Sequence, residues 1–590
     1  MIFQALKKLI TNLPITFALA LFLNSNGIQA QKKEVLYLEV LPKGKRETAS
    51  SRQFITGLTC AICLITINDT PVKVYKTGTF AYGAELDSGD NVFKVESRLG
   101  NKNLSENVII TFRPPAPARP LTKPGIQSIK VYPEGDLQLI AGDRVSFEVR
   151  AFPKSTVMAM GKILHEMPSG GDSSLMGIYR GSYTIQPADS FSHRSIPVKL
   201  IAPSGDSVLK NSETGLSVMS PFASRVVRTK GRLAHLEYGL GDDRLGGAKI
   251  GYIDSMIPLE VTGKIGKDYR IRLAPGRTAY IEDDLVELMP VGISLQPSLT
   301  GKWMVSGDDR ADYVKIGLER RLPYQSFHTT NPSGIVVDVF GAVNNTNWIT
   351  QLEGVDEIAD LDYEQVSDEI FRIKIKLKHR QHWGHSIYYE GNQLVIRVRH
   401  QPKSLQLKDL TIAVDAGHGG RNTGAQGLTG VIEKDLVLDV SLKLQALLQQ
   451  EGARVIMTRT TEKFFDNKER ILFYRDSLPH LLISVHLNSS LDPLNVGGTM
   501  MFYRYPGFKG LNERIYRRMQ ELGLKPGGIT GSFNFMLNSP TEYPNALVEG
   551  LFLSNLAEEE LVVDAAFRQK MAEKIFAGIK DFLNSAGEKQ

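Results

Sequence analysis

The hydrophobic period of this chain changes near Lys403, and that change constrains its fold more than any other feature. Before it, apolar and polar residues alternate in short runs such as Arg144-Val-Ser-Phe-Glu-Val-Arg150 and Ile370-Phe-Arg-Ile-Lys-Ile-Lys-Leu377, cut by Gly, Asn and Asp turns. A period of two describes strands with one buried face, so this stretch reads as small antiparallel β modules. After it, Leu410-Thr-Ile-Ala-Val414 is strand-like, and Leu436, Val437, Val440, Leu444, Leu447 and Leu448 form one helical stripe ending near Gly452. Strand-like runs at Arg454-Val-Ile-Met-Thr458, Leu481-Leu-Ile-Ser-Val485, Thr499-Met-Met-Phe-Tyr503 and Ala546-Leu-Val-Glu-Gly-Leu-Phe552, with helical stretches at 510–522 and 565–584, continue the alternation. The expected fold is multidomain: several all-β modules, then a C-terminal α/β domain with a largely parallel sheet covered on both faces.

A length of 590 residues accommodates about three to five domains. Hydrophobic residues at 42% and charged residues at 23% exclude a disordered or fibrous chain. The net charge, 70 − 64 = +6, is too dilute for a nucleic-acid binder, and no dense basic tract supports one. Residues 1–30 run from Lys7-Lys8 through an apolar Leu13–Leu23 segment to Ile28-Gln-Ala30, the order of a cleaved secretory signal. That apolar stretch is too short to span a bilayer, so an exported chain without a membrane span in its mature form is expected. The boundaries expected beyond it are a β-sandwich at 31–113, a Pro-rich linker at 114–125, a second sandwich at 126–219, a small β-barrel at 220–290, a further β domain at 291–403 and the α/β domain at 404–590. Both sandwiches resemble bacterial immunoglobulin-like modules. The two cysteines, Cys60 and Cys63, read as buried thiols in an apolar strand, which leaves each module to rest on its own apolar core.

Three chemically capable residues lie just past strand ends of the α/β domain. His418 sits in the glycine-rich loop Asp415-Ala-Gly-His-Gly-Gly420, Glu433 opens the long helix, and His486 closes the strand-like Ile483-Ser-Val-His-Leu-Asn488. Open parallel sheets gather ligands at the carboxyl ends of their strands, so the three can converge. Two imidazoles and one carboxylate are a donor set that leaves a catalytic zinc one position for water. Glu549 follows Leu547 and Val548 in a run expected to be buried, where an unpaired charge costs several kcal/mol, and it is the candidate general base. A rival set, His379, His382 and His385, is spaced by three, but its flanks are strand-like and no carboxylate stands beside it in sequence. It is not expected to converge.

Taken together, Asp415-Ala-Gly-His-Gly-Gly420, Glu433-Lys-Asp435, Thr458-Arg459, Ser484-Val-His-Leu-Asn488, Gly497-Gly498, Leu547-Val-Glu549 and Ser554-Asn555 resemble the zinc-dependent N-acetylmuramoyl-L-alanine amidases of the Amidase_3 type. The resemblance implies His418, Glu433 and His486 as ligands of one Zn2+ per chain, Glu549 as the catalytic glutamate, and peptidoglycan as substrate. It further implies hydrolysis of the amide between N-acetylmuramic acid and L-alanine, in the periplasm or cell wall. The alternatives carried alongside are an inactive wall-binding scaffold and a zinc hydrolase of another peptidoglycan amide bond. Residues 291–403 resemble the AMIN module, a β-sandwich that localises cell-wall amidases, with cell-division or envelope proteins as further candidate partners of the β modules. His480 and Tyr474-Arg475 depart from the family pattern. Some relatives block the zinc with a long helix after the last histidine ligand. The ten residues 487–496, with Pro493, are too few for one.

Overall fold

The computed structural model describes residues 35–115, 119–168, 173–220, 225–241 and 245–587; the signal-like segment lies outside them. Among the described residues no helix is long and apolar enough to cross a membrane.

The first β unit packs a three-stranded sheet against a five-stranded one around Val40, Ile55, Phe80, Val95 and Val108. Cys60 and Cys63 form a disulfide there, with their Cα atoms 5.1 Å apart, which corrects the expectation of two buried thiols. The separation suits a disulfide, and the intervening Ala61-Ile62 turn brings the two residues round to meet. The second unit has its own core, with Phe147, Val157 and Leu200 at its centre. Its sheet nevertheless runs on into the third unit, because strand Leu137–Leu139 pairs with Pro258–Ile265 through Leu137↔Ile265 and Gln138↔Lys264.

The third and fourth units share a single core in which Ile257, Leu259 and Ile281 join Trp303, Val337 and Ile373. The expectation that every module stands on a separate core fails here for a physical reason. A unit of about 65 residues buries a small fraction of its surface and is marginal by itself, and merging cores with a neighbour adds burial.

In the C-terminal domain the strands are β1 (Thr411–Ala416), β2 (Arg454–Ile456), β3 (Leu481–Asn488), β4 (Thr499–Phe502), β5 (Pro526–Thr530) and β6 (Asn545–Phe552). The helices are α1 (Glu433–Gln450), α2 (Asn467–Ser477), α3 (Lys509–Gln520), α4 (Leu556–Val562) and α5 (Ala565–Ser585). The sheet order is β2-β1-β3-β6-β4-β5, and every pairing is parallel except β4 with β6. Alternate strand residues serve opposite faces. Ile412, Val414, Ile483 and Val485 pack under α1, α3 and α5, whereas Ala413 and Leu482 meet Ile471 and Tyr474 of α2. The α1 stripe is buried at Leu436, Val437, Val440, Leu444 and Leu448, with Leu447 at its edge.

Candidate metal centre

β1, β3 and β6 lie side by side and parallel, so their carboxyl ends open onto one side of the sheet. His418 leaves β1 in a tight turn with φ +59°, a left-handed conformation that a non-glycine residue holds only where its surroundings enforce it. The enforcement comes from two arginines. Arg470 of α2 donates to the carbonyls of Ala416 and His418, and Arg459 donates to Gly417 at 2.7 Å. Arg470 in turn pairs with the fully buried Asp415 at 2.8 Å, whose other oxygen accepts from Ser484 at 2.9 Å. Burial would raise the Asp415 carboxyl, but the Arg470 charge holds it below its ordinary value. Gly417 has no room for a side chain, because a Cβ there would stand 2.3 Å from the His486 ring.

Glu433 is the first residue of α1 and points back over the sheet, accepting from Ala425 N–H at 2.8 Å and Leu487 N–H at 2.9 Å. His486 sits where the β3–β6 ladder slips by a residue, a bulge of the kind that re-aims side chains beside active sites. The three sequence-derived donors therefore meet. His418 Nε2 is 3.0 Å from Glu433 Oε1, His486 Nδ1 is 3.1 Å from the same oxygen, and the two nitrogens are 3.2 Å apart. Burial alone would raise the Glu433 carboxyl, yet hydrogen bonds with both imidazoles hold it well below the usual carboxylate range.

This donor set fits a cation. Asn422 Oδ1 lies 2.9 Å from His418 Nδ1 and is placed to take its proton, so His418 Nε2, which shares a proton with Glu433 when no cation is bound, can turn its lone pair to a cation. His486 Nε2 is buried with no hydrogen-bond partner among the described residues, so the chain alone does not satisfy that ring. Ligands about 2.0–2.1 Å from a tetrahedral zinc lie roughly 3.3 Å from one another, close to the spacing found here. His418, Glu433 and His486 are also the one group of metal-capable side chains among the described residues. Asn422→Ala is expected to weaken metal affinity about 10–100-fold, measured by competition with a chromophoric chelator, because partners that orient a ligating imidazole typically contribute that much.

Glu549 stands opposite His486 across the parallel β3–β6 pair and is the one residue of buried β6 that is partly open, facing the cleft. The cleft encloses about 530 Å3 and is lined also by Phe465, Phe533 and Phe535. Phe535 lies edge-on to His486 at 6.1 Å between ring centroids. Residues 487–496 hold no helix beyond the end of β3, and the segment 533–537 lines the cleft instead.

The rival histidines divide. His379 pairs with Glu357 at 2.7 Å, a carboxylate distant in sequence. His382 and His385 do converge, against His328 at 4.4 and 5.2 Å between centroids, which corrects the expectation. All three are buried at the joint with Tyr505 and Phe508, and burial pushes His382 down to about 4 and His385 to about 3, as expected of neutral packing residues. The departures from the family pattern are also packing residues. Tyr474 donates to Asp415 at 3.0 Å, Arg475 pairs with Glu542 at 2.7 Å, and His480 Nδ1 accepts from Thr411 N–H at 2.8 Å.

An open α/β sheet whose strand ends gather two imidazoles and a carboxylate, with a second carboxylate alongside, is the arrangement of a metal-dependent hydrolase. Residues 412–581 match the Amidase_3 family model, described as N-acetylmuramoyl-L-alanine amidase. The match lies wholly within the C-terminal domain. A similar curated protein is the probable cell wall amidase LytH of Staphylococcus aureus, 29% identical over 181 residues that cover 30% of this chain and 60% of that protein. Similar solved structures include the amidase AmiC2 of Nostoc punctiforme, at 26% identity, 30% coverage of this chain, 97% of that chain and a TM-score of 0.29. The catalytic domain of CwlV from Paenibacillus polymyxa var. colistinus is similar at 29% identity, covering 30% of this chain and 98% of that one, with a TM-score of 0.29.

Arg470 and Asn422 carry no sequence signal strong enough to single them out. Arg470 falls in α2, a helix of weak amphipathicity whose apolar stripe is short.

Proposed function

We propose that this protein is a zinc-dependent N-acetylmuramoyl-L-alanine amidase, cleaving the amide between the lactyl group of N-acetylmuramic acid and the L-alanine of the peptidoglycan stem. The observation that carries the reading is the placement of Glu549 next to His486 on adjacent parallel strands, facing one cleft with His418 and Glu433. His418, Glu433 and His486 would hold the metal, and the Asn422 contact keeps His418 Nε2 as the donor atom. Zinc, when bound, supplies Lewis acidity and lowers the pKa of water. Glu549 takes the proton of the attacking water and returns it to the departing amine. Phe535 covers one side of His486 and limits solvent there.

A scaffold that had lost activity would be expected to lose a ligand or the base, and this chain keeps all four residues. The proposed location is extracytoplasmic, periplasm or cell wall, supported by the Cys60–Cys63 bridge, since disulfides persist in oxidising compartments. The β units at 31–113, 126–219, 220–290 and 291–403, the last AMIN-like, are proposed to place the enzyme on the wall, with peptidoglycan and envelope or cell-division proteins as partners.

Mass spectrometry of muropeptides after digestion with the zinc-loaded chain tests the bond assignment. Free stem peptides and unsubstituted glycan are expected. Cross-bridge products would show a different bond, and no products at all would favour the scaffold.

A further inference from the structure

The third β unit does more than position the enzyme. Lys249 and Leu245 of that unit line the same cleft as His418 and Glu549, so the cleft wall is built from two domains. Lys249 opens the strand Lys249–Tyr252, in which Ile250 turns into the unit's core, so the lysine side chain faces the other way. Its main chain is pinned to the catalytic domain. Lys249 N–H donates to Asn534 Oδ1 at 3.2 Å, Asn534 Nδ2 donates to Gly247 O at 2.7 Å, and Arg504 donates to both Asn534 and Lys249 O. The next residue, Phe535, is the ring set against His486. Lys249 is therefore fixed beside the candidate metal centre by the loop that covers it.

Among the described residues, two cationic side chains other than the histidines line the cleft, Arg470 and Lys249. Arg470 is committed to Asp415. The Lys249 ammonium forms no ion pair among the described residues, and its pKa is lowered chiefly by burial, with Glu237 acting on it from beyond ion-pair distance. An ammonium partly stripped of water interacts with an arriving carboxylate more strongly than it would in bulk solvent.

We infer that Lys249 is a specificity-determining residue that receives a carboxylate of the stem peptide, an inference that rests on the amidase reading above. The muramic acid side of the scissile bond cannot supply that group, because its lactyl carboxyl is the one tied up in the amide. The carboxylate must come from the peptide side. Two sources are available: the α-carboxylate of the glutamate that follows L-alanine, when it is not amidated, and the carboxyl terminus of the stem.

The test uses the full zinc-loaded chain and three soluble muramyl tripeptides: one unmodified, one amidated at the glutamate α-carboxylate, and one amidated at the C-terminus. Wild type is expected to lose about 10–100-fold in kcat/KM, mainly through KM, on whichever amidated substrate lacks the carboxylate that Lys249 holds. Lys249→Gln should lose the same factor on the unmodified tripeptide and leave that amidated substrate within about twofold of wild type. Lys249→Arg should keep the preference, because it keeps the charge. The inference is overturned if Lys249→Gln slows all three substrates equally or none of them. A wild-type chain that cleaves no muramyl–alanine bond sinks the amidase reading, and this inference with it.

Discussion

Replacing Glu549 by glutamine is expected to slow hydrolysis of soluble muropeptides by about 10²–10⁴-fold while leaving about one zinc bound per chain. Glutamine keeps the shape and hydrogen-bonding length of glutamate but cannot take a proton from water. Glu549 is not among the three converging donors, so its loss should not empty the site. Its position across the β3–β6 pair from His486 sets it beside the three donors without joining them. The check is paired: metal content by inductively coupled plasma mass spectrometry, and single-turnover rates on a muramyl tripeptide. A Gln variant within about threefold of wild type would remove Glu549 from the chemistry. A variant that lost its zinc would make the residue a ligand instead.

His486→Ala should have the opposite signature, losing zinc and activity together. His418 Nε2, His486 Nδ1 and Glu433 Oε1 form a triangle with sides of 3.0, 3.1 and 3.2 Å, so deleting one corner leaves two donors. Two protein ligands are too few for a catalytic zinc site, which ordinarily has three. The variant also leaves Glu433 buried with one imidazole fewer to hold its charge, a further cost to the apo fold. Metal content near zero and hydrolysis at background are expected, with His418→Ala behaving alike. Full occupancy in either variant would refute the ligand assignment.

Local patterns make much of this protein legible in its amino-acid sequence. The period change near Lys403 locates the α/β domain, because burial on one face repeats every two residues in a strand and every 3.6 in a helix. His418, Glu433 and His486 are legible because each lies at or near a strand end or opens a helix, and a parallel sheet brings such positions together by topology, whereas Glu549 is legible as a carboxylate within an apolar run. What tertiary structure decided is carried by contacts without local pattern. The Cys60–Cys63 bridge depends on a turn that an apolar run does not announce. His382 and His385 meet His328 from a distant strand of the same β unit, which spacing by three does not encode.

The largest departure concerns the β modules. Read along the chain, residues 220–290 are a module with no catalytic constellation, suited only to targeting. In the folded protein Lys249 lies 285 positions from Asn534 and bonds to it, and Arg232 lies 244 positions from Asp476 and pairs with it. Together these contacts seat that unit against the cleft of the candidate metal centre. Sequence by itself determined which residues could do the chemistry, since donor type and secondary-structure period are local properties. Only the tertiary structure decided which other residues surround that chemistry, because the packing of one domain on another depends on surface complementarity between distant segments, and neither segment carries that information alone.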